Sequence, residues 1–441
     1  MSSAVPQAEP LEQSGTAPYR NFVIVAVTIF FIFVLRKPDC LLNPQFWAED
    51  GTLFFRDQLV KSFFHALGTP YQGYFQPLGR VVAAFSSLFP VRYAPLSYDL
   101  SALTIDSVCC AMFALPRYRT YISSDWMRCT LCLIVVSGIH SAELVGNLAN
   151  SQWYVLLGGI LLVAQPPDAH GLLRRCLWLL LAMGIGLCMP ILVIVIPIGI
   201  YRLLQKRTRA GWFTTAMGLG GLLQSAFAVF SRRGIPLSKP SADAVVFALF
   251  MALSYKILLQ VIMGIPWVVR TARAGYMSTV FLTTAISSSL FTWLWLRIAQ
   301  EERVRVLAAS YLIIAATALP LIVRPGLLPF ASLAEIPDRG ERYFFLGSCL
   351  VIYLVALGLE RGVALRSQAW GCTLLILIFA GGIYGNFRIP QFADLHWKNN
   401  AAQISSWRND KKSGKPTPEF FIPVNPPGWF IELPASPGKR P

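Results

Sequence analysis

Two adjacent carboxylates, Glu49 and Asp50, stand in the run Trp47-Ala48-Glu49-Asp50-Gly51, shortly after the first apolar segment of the chain. A carboxylate at such a place could take a proton from an acceptor hydroxyl as it attacks an activated sugar. The pair could instead hold a divalent cation near a phosphate. A structural role competes with both: Asp50 is placed to cap a helix starting near Thr52, its oxygen accepting orphan N–H groups, while Gly51 relieves the turn.

A second polar set, His140, Glu143, Asn147 and Asn150, has a 3-4-3 spacing that shares one face if the stretch is helical. With Gln152 and Trp153 it would form a lining suited to sugar hydroxyls; the alternative is a segment that bonds to neighbouring helices. One His and one acid make a weak metal site. Asp99 and Asp106 share a face of one apolar segment, and Lys256 interrupts another. Charge inside a membrane is expensive, so such residues are functional candidates, although an Asp–Lys pair that steadies the bundle is the simpler reading for Asp106.

The elements that must position these residues are membrane helices. The chain has 441 residues, 55% of them hydrophobic and only 14% charged, too few charges to cover a soluble surface. Apolar stretches recur from Phe22 to Ile383, many near the length that a helix needs to cross hydrocarbon. In lipid the backbone must satisfy its own hydrogen bonds, so these stretches are helices. The first, Phe22 to Leu35, runs into Arg36-Lys37-Pro38-Asp39 without a small-residue cleavage site and is read as a retained helix. The long run from Leu177 to Tyr201 holds Pro190 and Pro197, so it is one kinked helix or two short ones. The expected fold is an all-α polytopic membrane protein with roughly 11 to 13 spans.

The net charge of +16 does not imply nucleic acid, because the basic residues punctuate the ends of apolar segments and form no contiguous patch. The nine cysteines lie mostly in apolar runs, and Cys129 and Cys132 have redox-motif spacing but no metal or disulfide partners nearby in sequence; buried free thiols are expected.

Between the first two apolar segments, Thr52 to Leu67 sets Phe55, Leu59 and Phe63 on one stripe and Asp57, Lys61 and His65 on another, the pattern of a helix lying in the membrane interface. Trp47 to Gly51, this amphipathic stretch, and Tyr74-Phe75-Gln76-Pro77-Leu78-Gly79-Arg80 together resemble the first extracytoplasmic loop of GT-C membrane glycosyltransferases, such as protein mannosyltransferases and aminoarabinose transferases. The order Glu-Asp departs from the Asp-x-Asp or Asp-Glu pairs frequent there, and Gln76-Pro77 replaces the usual double proline. The resemblance implies a GT-C-like fold and transfer of a sugar from a polyprenyl-phosphate donor to an extracytoplasmic glycan, lipid or protein, as in cell-envelope polysaccharide biosynthesis. It implies Glu49 or Asp50 as base, with a divalent cation at the pair as an open option. It further implies an arginine for the leaving phosphate, with Arg80, Arg324 and Arg342 as candidates. Trp47, Tyr74, Glu143, Asn147 and Asn150 are the candidate substrate contacts. Two rivals make different demands. A transporter or flippase of a lipid-linked glycan needs a continuous polar path through Asp99, Asp106, Lys256 and the Glu143 face, and a non-catalytic envelope-assembly protein needs no sensitive polar residue.

Residues 1–20 read as a disordered cytoplasmic N-terminus, 21–385 as the transmembrane domain with its first extracytoplasmic loop at 37–76, and 386–441 as a small extracytoplasmic tail. Trp397, Trp407 and Trp429 suggest that the tail packs on the loops. Arg202 to Arg209 is the strongest cytoplasmic segment, and an N-terminus inside places Glu49 outside; the expected location is a bacterial inner membrane.

Overall fold

The first apolar run folds as α1 (Arg20–Arg36). In the computed structural model it buries Val25, Ile29 and Phe33 against the bundle, while Ile24, Phe31 and Leu35 face outward. A helix apolar all round has its outer face in lipid. The structure describes residues 19–70, 73–168, 170–231, 240–274, 276–323, 325–328, 340–362 and 368–436. The N-terminal segment 1–18 and Arg324 lie outside the described residues.

After the loop come α2 (Pro77–Ser86), α3 (Ala94–Ala111), α4 (Asp125–Gly138) and α5 (Ser151–Ala164). The run from Leu177 to Tyr201 resolves into two pieces: α6 (Leu172–Cys188) stops just before Pro190, a 3-10 segment covers Pro190–Val195, and α7 (Ile196–Leu204) follows. Then come α8 (Thr208–Ser231), α9 (Ala242–Met263), α10 (Ile265–Ala274), α11 (Tyr276–Arg297), α12 (Gln300–Val323), α13 (Phe345–Gly362) and α14 (Gln368–Asn386). Local signals set several starts: Ser124 Oγ accepts the Met127 N–H before α4, and Ser241 Oγ accepts the Ala244 N–H before α9. Where α6 crosses α8, a Cβ on Gly186 would lie 2.9 Å from Gly220 Cα, so only paired glycines permit this contact.

Among the described residues, seven helices are long and apolar enough to cross a membrane. Shorter apolar helices such as α5 complete the bundle. The chain is an integral multi-pass membrane protein, predominantly helical.

Arg36, at the end of α1, is buried and donates to four carbonyls. Nη2 reaches Ile139 O at 3.0 Å and Asn386 O at 2.8 Å, Nε reaches Phe387 O at 2.9 Å, and Nη1 reaches Val136 O. These carbonyls are orphans at the C-terminal ends of α4 and α14, so one guanidinium caps two helices. Asn386 extends the knot, donating to Gly138 O at 2.6 Å and Gln260 O at 2.8 Å. Arg36 and Lys37, which read in sequence as a flank of the first span, are thus interior groups that fix where the loop begins.

The tail departs from an all-α fold. After α15 (Trp397–Lys412) come β1 (Phe420–Val424) and β2 (Trp429–Leu433), antiparallel, with Ile422 opposite Ile431 and Val424 opposite Trp429. Their inward side chains join Phe46, Phe54, Phe55 and Trp397 in a core separate from the main bundle core. Phe46 meets Trp397 edge-on at 4.8 Å. Burying each such aromatic stabilises by about 1.5–3 kcal/mol, which suffices to hold the tail on the loop.

Candidate functional site

The loop is pinned at close intervals. Lys37 Nζ donates to Val145 O at 3.1 Å and sits 3.1 Å from the centroid of Phe392. Asp39 Oδ2 accepts the Phe392 N–H at 2.8 Å. Trp47 stacks on Phe392 at 5.0 Å, and its backbone bridges Asn425 of the tail. Asn425 N donates to Phe46 O at 3.0 Å, and Ala48 N donates to Asn425 O. The Asn425 amide also exchanges both its hydrogen bonds with the Ala393 backbone, at 3.1 and 3.0 Å. Asn425 is therefore a clasp joining the tail, the segment after α14 and the residue before Glu49. Trp47 belongs to this clasp and not to the cavity wall.

Glu49 and Asp50 have different surroundings. Glu49 faces a cavity of about 520 Å³, and its carboxylate makes no hydrogen bond or ion pair among the described residues. Asp50 is buried, and its two oxygens accept the N–H groups of Leu148 and Ala149, each at 2.8 Å. It does cap a helix, as the sequence suggested, but the helix is the 3-10 turn Leu148–Asn150 that leads into α5, and not the one beginning near Thr52. Burial pushes the Asp50 carboxyl up to about 8, against the pull of these two donors. Both Asp50 oxygens thus accept backbone N–H groups, whereas the Glu49 carboxylate faces the cavity. Gly51 has a packing role: a Cβ there would lie 2.9 Å from Val424 Cγ1 in the hairpin.

The stretch expected as one interfacial helix is broken. It starts as a π-helix, Asp50–Phe55, continues as Arg56–Val60, and restarts at Phe63–Gly68. A π-turn adds a residue to the turn, and such turns are frequent at functional sites. Asp57, expected on a polar stripe, is buried and binds Arg80 Nη1 at 2.8 Å and Lys61 Nζ at 2.9 Å. Arg80 is buried in this pair, with its guanidinium over the Phe54 ring, and lies off the cavity wall.

The polar lining of the cavity includes Glu49, Tyr74, Gln76, Asn150, Gln152 and Arg342. Gln76 has φ 37°, the left-handed region, so the chain accepts backbone strain to turn from Tyr74 into α2. Arg342 enters from the 3-10 turn Glu341–Phe344, behind Gly340 in the left-handed region (φ 71°). Its Nη1 lies 3.5 Å from Asn150 Oδ1 and its Nε 3.9 Å from Glu143 Oε2, and Glu49 is within electrostatic reach. Trp153 packs edge-on against Tyr343 at 5.1 Å, and its indole N–H finds no partner among the described residues. The cavity's apolar lining includes Ile191 and Val193 after α6, Val229 at the end of α8, and Leu319, Pro320 and Val323 of α12. Pro320 lacks the N–H that would bond back into its helix. The tail reaches the cavity through Trp429, which sequence reasoning placed only as a packing aromatic.

The 140–150 segment is not helical. Gly146 has φ 68°, which breaks any helix, and the side-chain amides of Asn147 and Asn150 both turn to Glu143 O, at 2.5 and 2.6 Å. Asn150 lines the cavity, Asn147 is buried as the cap of the following turn, and Glu143 backs Arg342. His140 points elsewhere and pairs with Glu341 in a small polar pocket that also holds Lys256 and Gln260. The expected Asp106–Lys256 pair does not form, since both Asp106 oxygens lack a hydrogen-bond partner. Neither these two residues nor Asp99 line the cavity.

Glu49 and Arg202 stand at opposite ends of α5. Arg202 donates to Val163 O and Ala164 O at its last turn, while the Leu148–Asn150 turn held by Asp50 leads into its first. All nine cysteines are free. In comparisons with known proteins, no family model, curated protein or solved structure matches this chain.

Proposed function

We propose that this integral membrane protein is a GT-C-like glycosyltransferase of a bacterial inner membrane, which moves a sugar from a polyprenyl-phosphate donor to an extracytoplasmic acceptor. One observation carries the reading: an unpaired carboxylate, Glu49, and a guanidinium, Arg342, within electrostatic reach of each other, line one cavity whose lining is otherwise largely apolar. That combination suits a lipid chain tipped by an anionic, reactive headgroup.

In this reading Glu49 takes the proton from the acceptor hydroxyl as its oxygen attacks the sugar carbon. The bond from that carbon to the phosphate oxygen breaks, and the phosphate leaves with the electron pair. Arg342 stabilises the growing charge on the leaving oxygens. Asp50 holds the loop to the start of α5 and so positions Glu49, and no step requires it as the base. Arg80 keeps a structural role, and Arg324 remains a candidate for the phosphate.

The test is binding of farnesyl phosphate to the full-length protein in nanodiscs. The wild type should prefer farnesyl phosphate to farnesol, and Arg342→Gln should lower the affinity for farnesyl phosphate at least tenfold while leaving farnesol binding unchanged. Equal binding of the two compounds by the wild type would end the donor assignment.

A further inference from the structure

We infer that the acceptor is a carbohydrate and that Trp429, carried by the C-terminal hairpin, is the surface on which its ring stacks; this rests on the transferase reading of the cavity. Three features of the site support the choice of acceptor. Glu49 is the one carboxylate lining the cavity among the described residues, and as the base it is not free to hold a cation. A lysine-rich peptide or an aminolipid would need further negative charge. The polar lining includes two glutamine amides, Gln76 and Gln152, each of which offers both donor and acceptor to neighbouring hydroxyls, beside Asn150, whose amide already bonds Glu143 O. Trp429 adds a flat apolar ring of the kind that covers the C–H face of a sugar.

Trp429 packs one side against the tail core and also borders the cavity. Its neighbours on the inward face of β2, Ile431 and Leu433, are fully buried. Trp429 is only half-buried, and it lines the cavity. The strand is registered to the loop by the Asn425 clasp, which bonds to Phe46 and Ala48 immediately before Glu49. Ring and carboxylate are thereby fixed relative to each other, as a platform and a base acting on one acceptor must be. A tryptophan that merely anchored the tail at the headgroup level would not need this registration.

The experiment uses the full-length protein in nanodiscs free of sugar-based detergent, applied to an array of immobilised oligosaccharides with cationic peptides and aminolipids as comparators. Wild type, Trp429→Phe and Trp429→Leu are compared, and farnesyl phosphate binding is measured on the same samples. The wild type should retain at least one carbohydrate class above both comparators. Trp429→Phe, which keeps a ring, should stay within about threefold, whereas Trp429→Leu, which fills the space without one, should fall at least tenfold. Tm should be unchanged in both variants, which reports that they are folded, and farnesyl phosphate binding by the wild type reports on the donor reading separately. Preference for a peptide or aminolipid, absence of carbohydrate retention, or equal retention by Trp429→Leu and wild type would overturn the inference. Loss of farnesyl phosphate binding by the wild type itself, with carbohydrate retention still dependent on Trp429, would remove the donor assignment and leave the carbohydrate site standing.

Discussion

Replacing Asp50 by Asn separates its structural role from the catalytic role proposed for Glu49. Asp50 receives two N–H groups, one on each oxygen. An amide has one acceptor oxygen, so either Leu148 or Ala149 must face an NH₂ and lose its partner, at about 1–3 kcal/mol for a buried donor. Asn is usually as good a helix cap as Asp, but not where both oxygens are used. A pH dependence is superimposed. Burial raises the Asp50 carboxyl to about 8 from 3.8, so between these values the folded chain keeps a proton that the unfolded chain has released. The stability this contributes is full below about pH 4 and declines as pH rises toward 8, by up to about 1.4 kcal/mol per pH unit. Asn has no titration at this site. The advantage of wild type over Asp50→Asn should therefore be largest at the acid end and shrink steadily to about pH 8. Tm values from tryptophan fluorescence of the purified protein between pH 5 and 9 would show it. An advantage that grows with pH would refute the reasoning, because it would mean that the two N–H donors outweigh burial and the folded carboxyl is anionic.

Arg36→Lys should destabilise strongly, by more than about 3 kcal/mol, because one ammonium cannot serve four carbonyls at two helix ends; Tm against wild type checks this. Arg80→Gln should be destabilising alone, since it leaves Asp57 buried with only Lys61, and Arg80→Gln/Asp57→Asn should recover much of the loss in a double-mutant cycle; a phosphate-binding role would show instead as unchanged Tm with lost farnesyl phosphate binding. Asn425→Ala keeps the backbone bridge but frees Ala393, so limited proteolysis should cut the tail faster than in wild type while the bundle stays intact.

The sequence showed where the site is better than how it is built. Glu49 was legible as a candidate because a pair of adjacent acids ahead of an amphipathic stretch stands out in a chain so poor in charge. Its division of labour with Asp50 was not, because the N–H groups that claim Asp50 come from Leu148 and Ala149, distant in sequence. The same reason hid the Asn425 clasp and the place of Trp429 on the cavity wall: a two-stranded hairpin after a long helical bundle leaves a weak pattern, and its partner is the loop after α1. The spacing of His140 to Asn150 misled because it was projected on a helix, whereas Gly146 in the left-handed region turns the chain and sends His140 to Glu341. Pro190 did mark a helix end, since a proline lacks the N–H that would continue the run. Arg36 and Lys37 were the least legible, since a basic pair after an apolar helix usually reads as a surface flank, and only the facing ends of α4 and α14 show their use as caps.

The account stands most directly on Glu49, and Glu49→Gln is the measurement that tests it. The side chain has no partner to lose among the described residues, so the variant should fold at normal abundance, with wild-type Tm and farnesyl phosphate binding. Sugar transfer from the polyprenyl-phosphate pool of its native membranes should fall by a factor of about 100 or more, the scale of a positioned general base. Near-normal transfer by Glu49→Gln in folded protein would contradict the account.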